Sequence, residues 1–80
     1  MSIATAFGRV LRRLRLEACM TQEQLGLEAD LQRKFISLLE LGEKQPTITS
    51  VFKLAGALQV KPGKMIALTD TELNGQQPVA

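Results

Sequence analysis

Eighty residues leave room for one domain and one hydrophobic core. The composition is 45% apolar and 22% charged, with no His and one Cys, which excludes an intrachain disulfide, a thiolate zinc cluster and any Ser–His or Cys–His nucleophile within the chain. The net charge of +2 is uneven: residues 1–68 hold ten bases against six acids, whereas residues 69–80 hold only Asp70 and Glu72. A basic body favours an anionic partner. Enzymatic activity is the least supported class, and no metal or cofactor is expected. No apolar stretch approaches the roughly 20 residues that span a bilayer. The N-terminus has no signal-peptide core, so the expected location is cytoplasmic.

The first periodic segment runs from about Thr5 to Ala18. Phe7, Val10, Leu11, Leu14 and Ala18 recur on one helical face, and Ser2 or Thr5 can cap it. Arg9, Arg12 and Arg13 take mostly the other face and read as a solvated stripe. A second helix has the clearest start. Thr21 and Gln24 form a T-x-x-Q capping box, and Met20 and Leu25 have the spacing of a hydrophobic staple, which predicts a helix from Gln22 to about Ala29. Asp30 follows, a residue that tolerates positive φ.

A third helix is predicted from Arg33 to Leu41, stopped by Gly42. Glu43 to Pro46 is a polar loop. The fourth helix starts after Thr47, with Ile48, Val51, Phe52, Ala55 and Leu58 expected on its buried face. Pro62 suits the first position of a fifth helix, Pro62 to Leu68, with Met65 and Ile66 facing the core. Beyond Thr69 the pattern fades, so residues 69–80 are expected to be a disordered tail to a folded domain of residues 1–68. The expected fold class is all-α, a compact bundle of five helices.

Only three residues separate the second and third helices, Asp30 to Gln32. So short a connection forces a steep crossing, the helix-turn-helix geometry. A steep crossing needs a small residue where the backbones meet, and Gly26 is placed there. In a helix interior Gly costs about 1 kcal/mol relative to Ala, so it wants a packing reason.

The segments T-Q-E-Q-L-G (21–26) and F-I-S-L-L-E (35–40), with Gly42 and Pro46 beyond, resemble the helix-turn-helix of phage-repressor, or Xre-like, transcriptional regulators. Residues 14–22 and 51–60 resemble the first and fourth helices of that family, so the likeness covers about residues 5–68. It implies a five-helix fold of the phage-repressor type whose third helix enters the DNA major groove. By the same resemblance Arg33, Lys34, Ser37 and Leu38 read bases, and Gln22, Gln32, Lys44 and Gln45 contact phosphate. Arg33 suits guanine O6 and N7, and Leu38 a thymine methyl. Arg15 and Glu40 match a structural ion pair. Cys19 and Asp30 stand where the family commonly has Gly, and Gln32 where Ser or Thr often caps.

The resemblance implies a regulator of double-stranded DNA, acting as a homodimer on a two-fold site. Met65, Ile66 and Leu68 are the expected dimer contacts. No membrane association and no small-molecule effector are expected. The rival is a protein-interaction module that kept the fold and lost DNA binding; Arg33, Lys34 and Lys44 argue against it. Phe35 is expected to pack rather than stack on bases, and Cys19 to be inert.

Overall fold

Helix α1 spans Ile3–Glu17 and is capped by Ser2, whose hydroxyl accepts from the Thr5 amide. The computed structural model describes residues 1–75. Four more helices follow: α2 Gln22–Ala29, α3 Arg33–Glu40, α4 Ile48–Leu58 and α5 Pro62–Asn74. Among the described residues there is no strand. The capping box is formed: Thr21 Oγ1 accepts from the Gln24 amide at 3.0 Å, and Gln24 Oε1 accepts from the Thr21 amide at 2.8 Å. Thr47 caps α4 by a single bond, its Oγ1 accepting from the Ser50 amide at 3.0 Å.

One core joins the five helices. Phe7 and Leu11 of α1 meet Leu25 and Ala29 of α2, Ile36 and Leu39 of α3, Val51, Leu54 and Leu58 of α4, and Met65 of α5. Burying such side chains is each worth about 1.5–3 kcal/mol. Met20 packs against this cluster from the position before the α2 cap. Phe35 packs against it too.

Two expectations about α4 and α5 need correction. Ile48 and Phe52 are not on the buried face of α4; they are 70% and 61% exposed. The buried arc is centred on Val51, Leu54, Ala55 and Leu58, and 100° per residue carries 48 and 52 past its edge. On α5, Ile66 is likewise half-exposed.

The second correction concerns the tail. α5 does not stop at Leu68 but continues to Asn74. Its added turns pack through polar residues, so the apolar pattern fades while the helix goes on. Thr69 is buried and its hydroxyl donates to the Met65 carbonyl at 2.8 Å. Glu72 accepts from Arg13 at 3.1 Å and lies 3.8 Å from Arg9. The rest of the expected tail, residues 76–80, lies outside the described residues.

Candidate nucleic-acid interface

The α2–α3 unit is closed by backbone. Asp30 takes a left-handed conformation with φ 57°, and the Leu31 amide donates back to the Gly26 carbonyl at 2.9 Å. A Cβ on Gly26 would lie 2.6 Å from the Leu31 carbonyl oxygen, so only glycine permits this crossing. Gly8, in the middle of α1, plays the same part against the other end of α3. A Cβ there would collide with the Leu39 carbonyl oxygen and sit 2.8 Å from that of Glu40. The signal that singled out Gly26, a glycine inside a helix, was equally present at Gly8.

α3 is stopped by a Schellman-type turn. The Gly42 amide donates to the Leu39 carbonyl at 3.1 Å and that of Glu43 to Leu38 at 3.0 Å, with Gly42 at φ 75°. The turn fixes where the chain leaves α3 and so where Lys44 begins the loop. The start of α3 is less well held: Gln32 occupies the N-cap but makes no side-chain cap bond.

Arg15 and Glu40 form the ion pair, and it is buried. Arg15 Nε and Nη2 donate to the two Glu40 carboxylate oxygens at 2.6 and 3.0 Å, while Nη1 donates to the Met20 carbonyl at 2.8 Å. The hydrogen bonds to Glu40 hold the Arg15 pKa above its ordinary value; burial pulls the other way, and the Glu40 charge adds to the rise. Gln22 is a third member: its Nε2 donates to Glu40 at 3.1 Å. One network therefore ties α1, α2 and α3 together behind the outer face of α3.

Six of the eight residues matched to DNA contacts line two concavities. Gln22 and Arg33 share one with Met20, Thr21 and Glu23. Gln32, Lys34, Leu38 and Lys44 share the other with Phe35. Arg33, Lys34, Gln32, Lys44 and Gln45 are exposed, whereas Ser37, Leu38 and Gln22 are half-buried. Ser37 and Gln45 lie outside both concavities. Four ion pairs form among the described residues, and none uses Arg33, Lys34 or Lys44. Gln22 has one amide hydrogen committed to Glu40, so the backbone N–H groups of the first turn of α2 are its better offer to an anion.

The expected dimer contacts do not stand together. Met65 is fully buried in the core and is not available to a partner, because it faces α1 and α4 rather than solvent. Ile66 is exposed and Leu68 half-buried.

A family model described as helix-turn-helix matches residues 11–65. The chain is 35% identical over 69 residues to the control protein C.BamHI of Bacillus amyloliquefaciens, covering 85% of each. It is 31% identical over 70 residues to an HTH-type transcriptional regulator of Sinorhizobium fredii, covering 88% of this chain and 91% of that one. Among solved structures it is similar to the restriction-modification controller protein C.AhdI from Aeromonas hydrophila, with a TM-score of 0.76 and 31% identity over 78% of this chain and 94% of that chain. With its glycine-closed α2–α3 turn and its match over most of its length, the chain belongs to the Xre-like helix-turn-helix family of DNA-binding transcriptional regulators.

Proposed function

We propose that the protein reads a specific double-stranded DNA site in the cytoplasm as a homodimer, with α3 in the major groove. The observation that carries this is the outer face of α3: Arg33 and Lys34 are exposed and free of ion pairs, on a helix whose two ends are fixed by backbone contacts. Arg33 and Lys34 read base edges from the first turn, and Ser37 and Leu38 do so from the second. Gln22, Gln32, Lys44 and Gln45 hold phosphates to either side. Arg15 and Glu40 keep the scaffold, and no residue acts as a catalyst. No helix of the described residues is long and apolar enough to cross a membrane. Similarity to two controller proteins favours a restriction-modification controller, with no small-molecule effector, over other specialisations of the family.

The test is fluorescence anisotropy on DNA from upstream of its own gene against a scrambled duplex, across a salt series. Tighter binding to the upstream fragment with a steep salt slope is expected. Arg33→Ala should cost about 1–3 kcal/mol on the specific site and relax preference at one base pair. An unchanged base preference removes Arg33 from base reading. No binding to any duplex at low salt would leave the protein-interaction module as the better reading.

A further inference from the structure

Arg9, Arg12, Arg13 and Leu16 follow one another at i, i+3, i+4 and i+7 along α1, one face of the helix. As sequence this face reads as a solvated stripe. In the fold it lines an open concavity of about 560 Å³, shared with Glu17 and with Glu72 of α5. Glu72 sets two of the three guanidinium groups: Nη1 of Arg13 lies 3.1 Å from one carboxylate oxygen and Nη1 of Arg9 3.8 Å from the other. Their other N–H groups are left for a further acceptor. Arg12 is exposed and forms no ion pair among the described residues. Beside them Leu16 is 49% exposed.

From this we infer that this face of α1 is a docking surface for a short acidic amphipathic helix of another protein. The carboxylates of that helix meet Arg9, Arg12 and Arg13, and an apolar side chain covers Leu16. The inference goes beyond the DNA reading and does not depend on it. Clustered arginines take carboxylates in charge-assisted, bidentate pairs, a recurring way of recognising acidic segments. Arginines already held by Glu72 lose less freedom on binding than unheld ones. The stripe runs about 10 Å along α1, two turns. Over that length a helix presents acids at i and i+4 and an apolar residue one turn further on. Leu16 also lines the concavity of Gln22 and Arg33, which makes DNA the rival occupant. DNA fits this face less well. A phosphate backbone laid here meets the like charges of Glu17 and Glu72 and leaves Leu16 without an apolar cover, whereas a peptide helix places its acids on the arginines alone.

The experiment titrates the isotope-labelled full chain with a helical peptide of about 18 residues carrying a leucine stripe flanked by Glu, followed by NMR. The control is the same peptide with Gln for every Glu. The acidic peptide should shift the amides from Arg9 to Leu16, and the Gln peptide should not. Arg12→Ala and Leu16→Ala, with circular dichroism to show that each is folded, should each weaken the acidic peptide by at least about fivefold. Arg33→Ala should leave peptide binding unchanged. On duplex DNA, Arg12→Ala should keep the affinity and the salt slope of the wild type. A slope that falls by about one places a phosphate at Arg12 and overturns the inference in favour of DNA. Peptide shifts centred on α3, or no shift with the acidic peptide, overturn it as well. A chain that binds no duplex defeats the DNA reading alone, and the peptide titration then decides this one.

Discussion

Arg15 keeps its charge in a buried place because each of its three guanidinium nitrogens donates to an acceptor. Two are Glu40 oxygens and the third is the Met20 carbonyl. Such a pair adds little net stability over well-packed apolar residues, but breaking it is costly. Arg15→Met leaves the Glu40 carboxylate, its side chain 4% exposed, with only Gln22 for a partner. Urea unfolding should show a loss of about 3–5 kcal/mol for Arg15→Met. The double variant Arg15→Met/Glu40→Leu should regain most of it. A loss under about 1 kcal/mol in the single variant would mean that water reaches the carboxylate. The pair was legible in the sequence only through family resemblance, since nothing local links positions 15 and 40. Gln22 was assigned to phosphate on the same basis, and its bond to Glu40 was not foreseen because the resemblance carries positions and not side-chain partners.

Helix starts were the most legible elements, because a cap is written within four residues. Thr21 with Gln24, and Thr47 ahead of α4, gave boundaries that the structure reproduces. Helix faces were less legible. Ile48 and Phe52 count as core by hydropathy, and only the placement of α2 and α5 against α4 shows that they are not. The left-handed residues divide in the same way. Asp30 was read from its chemistry, while Cys19 and Gln59, at φ 59° each, end α1 and α4 without a local sign. Element by element, the weakest cap is at Gln32. Gln32→Ser should give α3 a side-chain acceptor for its first free amides and add about 0.5–1 kcal/mol, read as a higher urea midpoint at unchanged m-value. A midpoint that does not rise would show that the α2–α3 turn leaves the serine hydroxyl out of reach.

At the scale of the whole molecule, α5 is the element whose extent was misjudged, and the reason is the range of its contacts. Glu72 reaches Arg13 and Arg9, about 60 positions away in the chain, and no window of sequence contains both. The folded unit therefore runs through Asn74. A chain truncated after Leu68 loses buried Thr69, half-buried Leu73 and the Glu72 contacts, and should be less stable than one ending at Gly75 by about 2 kcal/mol. Thermal unfolding of the two lengths settles it: equal Tm values would make the last two turns of α5 ornamental to the bundle. Most of the loss should come from Thr69 and Leu73, since exposed ion pairs contribute 1 kcal/mol or less.

The glycines at 8 and 26 grip α3 by its backbone at both ends, and neither grip uses the side chain of Arg33, Lys34, Ser37 or Leu38. Those four positions can therefore be exchanged without loosening what holds the helix. A lineage can change the DNA word it recognises through intermediates that all fold, and a designer can graft a new recognition face onto the same frame. Exchange of either glycine offers no such freedom: one methyl group there displaces the whole helix, and with it every contact the face makes at once.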